Sequence, residues 1–238
     1  SGEIEQEVQL ADASISEVLT SAPLVVKDNA ITGVSGAEYG IRGWLHATNL
    51  KDGSKAWRTY TIPAPGEPGS DTWKQGPESH SKDAWMHGGG STWVVGSYDP
   101  DLNVIYWGVG NPGPDWDNEY RPGDNLYSNS VLALDADTGK IKWYFQYTPN
   151  DPYDFDGVNE QTLVDAKIFG KKTKAVLHAD RNGFAYALDR ESGKFLWGTP
   201  FVKKLDWTAG LDKYTGRPLD YDPNKDVQRY VPSTSGFR

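Results

Sequence analysis

Apolar residues along this chain come in short runs, broken by glycine, proline and polar turn residues. "APLVVKD" (22–28), "NAITGVSG" (29–36), "SVLALD" (130–135), "AVLHAD" (175–180) and "GFAYALD" (183–189) have the length and composition of strands. "WVVGSYDPDLNVIYWGVG" (93–110) reads as a hairpin. The polar stretches 60–84 and 201–238 read as loops, and no segment carries the pattern of a long helix.

Three stretches share one template. "ATNLKDGSKAW" (47–57), "ALDADTGKIKW" (133–143) and "ALDRESGKFLW" (187–197) all follow Ala-x-(Asp/Asn)-x-x-x-Gly-x-x-x-Trp. The pattern describes a strand, a tight turn that needs glycine, and a second strand delivering tryptophan. Burying such an indole removes roughly 150–250 Å² from water, about 4–6 kcal/mol before entropy. Trp143 and Trp197 lie about one four-stranded unit apart. Trp57 and Trp143 are further apart, which leaves room for a unit with a degenerate turn at the 93–110 hairpin. Units of this length with paired strands and a docking aromatic predict an all-β propeller. About four blades fit in 1–238, with no closing strand, so the chain reads as part of a larger propeller domain or one that needs a partner half.

Aromatics make up 13% of the 238 residues, which excludes a disordered chain. The net charge of −9 argues against a nucleic-acid partner and suits a cationic ligand or a basic partner. The absence of cysteine excludes disulfides and thiolate sites within the segment. No apolar run is long enough to predict a membrane span. His46, His80, His87 and His178 have no metal-site spacing and read as structural or surface residues. Asp115, Asp117 and Glu119 read as a solvated loop.

Four further stretches lie among the repeats: "SGAEYGIRG" (35–43), "GGGSTW" (88–93), "GNPGPDWDNEYRPGDN" (110–125) and "DPYDFDGVN" (151–159). Alone, each has an ordinary reading: a core tryptophan, a solvated glutamate, a turn. In this order between tryptophan repeats, they resemble the quinoprotein alcohol dehydrogenases, eight-bladed propellers that use pyrroloquinoline quinone (PQQ). The resemblance runs from about Thr20 to Asp222 and resembles the middle of the catalytic propeller. It implies that Glu38 and Asn111 ligate the active-site metal and that Asp154 is the catalytic base. It implies that Ser35, Gly36, Ala37, Thr20 and Ser91 contact the quinone, that Trp93 stacks on it, and that Arg181 stands beside its reactive carbonyl. The chemistry agrees: a flat quinone needs a π surface, and a hard cation wants oxygen ligands. A small alcohol substrate, a periplasmic location, a cytochrome c electron acceptor and a possible homodimer follow from the resemblance only. Two alternatives stand beside it, a non-catalytic tryptophan-docking scaffold and a PQQ dehydrogenase of sugars or polyols.

"PNDPYDFDG" (149–157) holds Asp151, Asp154 and Asp156. In an extended chain, Asp154 and Asp156 would point to one side and repel. Calcium-using members of the family commonly have a small uncharged residue two positions after the base, and lanthanide-using members have a second aspartate. Asp156 therefore implies a lanthanide(III) ion, with calcium the alternative, held by Glu38, Asn111, Asp154 and Asp156. A trivalent ion favours one more anionic oxygen and turns the repulsion into shared attraction. Asp151 reads as a turn residue before proline.

Overall fold

The computed structural model describes residues 2–74 and 79–229, side chains 79–81 excepted. His80 therefore lies outside the described side chains, as does the end of the chain from residue 230. Twelve strands form three four-stranded antiparallel sheets. The first contains β1 (Leu24–Val26), β2 (Asn29–Gly33), β3 (Trp44–Asn49) and β4 (Lys55–Tyr60). The second contains β5 (Ser97–Asp99), β6 (Val104–Val109), β7 (Ser130–Asp135) and β8 (Ile141–Gln146). The third contains β9 (Thr162–Ile168), β10 (Lys171–Ala179), β11 (Phe184–Asp189) and β12 (Phe195–Pro200). Each strand pairs with its sequence neighbour.

The middle sheet is covered on both sides. Ile105, Trp107, Val109, Leu132 and Leu134 enter one core with Ile31, Leu45 and Trp57 of the first sheet. Val104, Tyr106, Val131 and Ala133 enter a second core with Val176, Phe184, Tyr186 and Leu188 of the third. Successive side chains on a strand face opposite ways, so a strand buried on both faces becomes a continuous apolar run such as "VIYWGV". Strand β9 is not among the strand readings above, although Val164, Ala166 and Ile168 alternate with Asp165 and Lys167. It lies at a sheet edge, where none of its residues is fully buried.

The repeat works between sheets. Trp57 is 6% exposed and packs on Gly139 of the next repeat. A Cβ there would lie 2.4 Å from the indole, and Gly139 has φ +69°, so both the space and the backbone call for glycine. Trp57 Nε1 donates to Ala136 O at 3.2 Å, and the Thr59 hydroxyl donates to Gly139 O at 2.6 Å. Trp143 packs on Gly193 in the same way.

Two expectations change. The 93–110 hairpin is not a separate unit but holds the first half of the second sheet, because the extra length between Trp57 and Trp143 goes into the 61–96 connection. That connection includes 3-10 turns at Ser70–Thr72 and Ser79–His87 rather than plain loop. A fourth repeat-type turn sits at 212–217, in the stretch read as loop. Gly216 N donates to Asp212 O at 2.8 Å and Asp212 N to Arg217 O at 2.8 Å, as Gly139 and Asp135 do at the second repeat. Among the described residues this fourth unit forms only an isolated bridge, Leu211 to Pro218. "LDKYTGR" carried the turn signal, but Asp220 stands where the tryptophan would be.

Candidate active site

Within each meander, odd-to-even connections such as 136–140 and 190–194 are tight turns. The even-to-odd connections 34–43, 110–129 and 180–183, with the inter-sheet segments 61–96 and 147–161, carry nearly every site residue named above. Hydrogen bonds draw these segments together. Gly43 N donates to Gly89 O, Gly90 N to Asn111 O, and Thr92 N to Val34 O. The triple glycine 88–90 is therefore a seam between loops rather than a free strand entry.

Trp93 is 38% exposed, and its Nε1 donates to Asp156 Oδ2 at 2.9 Å. The indole is anchored by its nitrogen while part of its surface stays open. Thr20 Oγ1 donates to Trp93 O at 3.4 Å. On the neighbouring loop, Ala37 N donates to Ser91 Oγ at 3.0 Å, and Ser35 pairs with Val18. Gly36 has φ +127° and lies where a Cβ would meet Ser16 O at 2.4 Å. Glu38 follows on the same loop and is exposed.

Asp154 and Asp156 do not lie on an extended strand. Both have positive φ, 57° and 59°. This left-handed backbone is uncommon away from glycine and tends to mark functional loops. Asp156 is 4% exposed, and Asn111 N donates to its Oδ1 at 3.2 Å. Gly110 permits that approach, since a Cβ there would lie 2.3 Å from Asp156 Oδ1. Burial, then the charge of Asp154, pushes the Asp156 carboxyl up to about 7, against the pull of the Trp93 bond and Arg181. Burial also raises Asp154, with Glu38 adding to the rise and Arg181 opposing it. Arg181 Nη1 lies 3.6 Å from Asp156 Oδ2, and Nη2 3.9 Å from Asp154 Oδ2.

The third aspartate is more than a turn residue. Asp151 is fully buried, and its carboxylate accepts from Tyr153 N, Phe155 N and Asn129 Nδ2 at 2.7–2.8 Å. It braces the backbone that puts Asp154 and Asp156 in place. Burial raises its pKa to about 6, with the N–H donors pulling the other way. Asp115 is also misread as solvated. It is half-buried, Asn111 Nδ2 donates to its Oδ1 at 2.6 Å, and burial with the charges of Asp154 and Glu38 raises its pKa. The only hint in the sequence was its place four residues after Asn111. His46 and His178 are buried structural residues and His87 is exposed, bonded to Gly40 O.

The matching family model describes a PQQ-type glucose, ethanol or alcohol dehydrogenase β-propeller domain and covers residues 1–203. The chain belongs to this PQQ-dependent dehydrogenase propeller family. It is 43% identical to quinoprotein alcohol dehydrogenase PedH of Pseudomonas putida, over 94% of this chain and 39% of that protein. It is 41% identical to the lanthanide-dependent methanol dehydrogenase of Methylorubrum extorquens, over 92% of this chain and 39% of that protein. A solved europium-containing methanol dehydrogenase superposes with TM-score 0.80 at 40% identity, covering 88% of this chain and 38% of its own. The chain thus spans about two-fifths of the length of the relatives it matches.

The residues fit the family's PQQ and metal. Glu38, Asp154, Asp156 and the Asn111 amide are hard oxygen donors, and the open indole of Trp93 suits a flat ring. Among the described residues no three His, Asp or Glu side chains are already gathered as a metal cage. Like charges drawn together without a cation repel, and here Arg181 is the cation that faces the aspartate pair.

Proposed function

We propose that the protein containing this segment oxidises a short-chain primary alcohol to its aldehyde, with PQQ as the oxidant. Bound PQQ would supply the hydride acceptor, and a lanthanide(III) ion, or alternatively calcium, would supply Lewis-acid chemistry there. Asp154 takes the alcohol proton at its carboxylate; its raised pKa suits it to that work. Arg181 supplies positive charge beside the reacting oxygen and opposes the rise of the Asp154 pKa. Trp93 gives the quinone ring a flat support, and Ser35, Gly36, Ala37, Ser91 and Thr20 border it. Glu38, Asn111, Asp154 and Asp156 hold the metal. Electrons leave to a cytochrome c in the periplasm.

The observation that carries this reading is the Trp93–Asp156 hydrogen bond, which ties an open indole to a buried carboxylate paired with Asp154. A scaffold needs no half-open indole bonded to one of two aspartates that face an arginine, so the catalytic reading is favoured over the scaffold. The sugar or polyol alternative shares the same machinery and differs in substrate. Asp154→Asn keeps the side chain's size and removes the base. In the full chain it should lower alcohol-dependent dye reduction by about 10²–10⁴-fold while PQQ remains bound by absorbance. Turnover near the unaltered level would place the base elsewhere.

A further inference from the structure

Asn111 is 3% exposed, yet its side-chain oxygen accepts no hydrogen bond from a described residue. Its amide nitrogen is committed: Nδ2 donates to Asp115 Oδ1 at 2.6 Å and to Pro112 O at 3.3 Å. An amide is planar, so holding the nitrogen on one side turns the oxygen to the other. Asp115 makes the shorter of the two bonds that set which end of Asn111 is free.

Asp115 itself is held in place. The guanidinium of the fully buried Arg121 donates to Pro114 O at 2.8 Å, Asp115 O at 3.0 Å and Asp151 O at 2.8 Å. A fourth bond runs to Asn125 Oδ1 at 2.9 Å. One side chain therefore fixes both the backbone that carries Asp115 and the start of the loop that carries Asp154 and Asp156. The Asp115 carboxyl lies in the field of Asp154 and Glu38.

We propose that Asp115 is a positioning residue of the metal site: it orients Asn111 so that the amide oxygen faces the cation, and adds a negative charge beside Asp154 and Glu38. The inference rests on the metal reading given above. Groups that orient a metal ligand typically change affinity by about 10–100-fold when removed.

The test is Tb³⁺ binding to the full chain without PQQ, followed by tryptophan-sensitised luminescence, with bound waters counted from lifetimes in H₂O and D₂O. Asp115→Ala should weaken Tb³⁺ by about 10–100-fold and add about one bound water, because Asn111 is freed to turn away. Asp115→Asn keeps an acceptor for Asn111 Nδ2 and loses only the charge. It should weaken binding less and add no water. Asp52→Asn, an equal charge change on an exposed tight turn, should leave both readouts unchanged. Unaltered affinity and hydration in Asp115→Ala, with Tb³⁺ still bound by the unaltered chain and lost in Asp154→Asn, would overturn the role of Asp115 and leave the metal reading standing. No Tb³⁺ binding by the unaltered chain, or binding that Asp154→Asn does not weaken, would overturn both. If Asp115→Ala fails to fold, Asp115→Asn decides: Tb³⁺ affinity equal to that of the unaltered chain contradicts the proposal.

Discussion

Asp156 combines burial with a neighbouring like charge, two unfavourable conditions that a bound cation would relieve. Its pKa is raised from the ordinary 3.8 to about 7. The folded chain therefore holds a proton that the unfolded chain releases between about pH 4 and pH 7. The stability this confers is present at low pH and declines as pH rises through that window. Asp156→Asn is neutral at every pH, so the cation-free variant should lose less thermal stability than the unaltered chain between pH 5 and pH 8. A residual slope should remain from Asp151 and Asp115, whose carboxyls burial also raises. Adding La³⁺ at pH 8 should raise the melting temperature of the unaltered chain and do much less for Asp156→Asn. Equal pH slopes in the two proteins, read by calorimetry, would show that Asp156 ionises freely. Residue identity in this loop was legible from "DPYDFDG", but geometry was not. Period-two reasoning assumes a strand, and positive φ at Asp154 and Asp156 breaks it. Asp151 was misread because Asn129 and Arg121 reach it from another connection, and Asp115 because a side-chain bond to Asn111 four residues away in an irregular loop follows no periodic pattern.

At the scale of elements, the tryptophan repeat is a joint between sheets, not a local hairpin feature. Trp57 leaves β4 and rests on the glycine turn between β7 and β8. Trp57→Ala should cost about 3–5 kcal/mol by opening a cavity between two sheets. Gly139→Val should also destabilise, since the new side chain meets the indole and must adopt φ +69°. Urea unfolding of the full chain measures both. Losses below about 1 kcal/mol in each would mean that the sheets are held together elsewhere. The turn and the tryptophan were legible because each needs a particular residue type. Their partnership across repeats was not, because nothing in one repeat states which glycine its tryptophan meets. The fourth turn at 212–217 escaped because only half of the template is present there. Strand β9 was legible in principle, since Val164, Ala166 and Ile168 alternate with Asp165 and Lys167, but it lies at a sheet edge and none of these residues is fully buried.

At the scale of the molecule, three sheets place their long connections so that five segments of the chain converge, and nearly all the proposed chemistry lies there. Sequence distance is large, from Thr20 to Arg181, yet the contacts run in a chain from Thr20 to Trp93, to Asp156 and to Arg181. The chain spans about two-fifths of the length of the relatives it matches. Under the proposed function, the Asp154–Asp156 pair selects a trivalent cation for a quinone-dependent alcohol oxidation. Asp156 matters because three carboxylates balance a 3+ ion, whereas around Ca²⁺ they leave excess negative charge. The most direct measurement reconstitutes the full chain with PQQ and either La³⁺ or Ca²⁺, and follows methanol- and ethanol-dependent dye reduction in the unaltered protein and in Asp156→Ala. The account predicts higher activity with La³⁺ in the unaltered protein, and a loss in Asp156→Ala that is far larger for La³⁺ than for Ca²⁺. Full activity with Ca²⁺ and no gain from La³⁺, or an unchanged metal preference in Asp156→Ala, would contradict it.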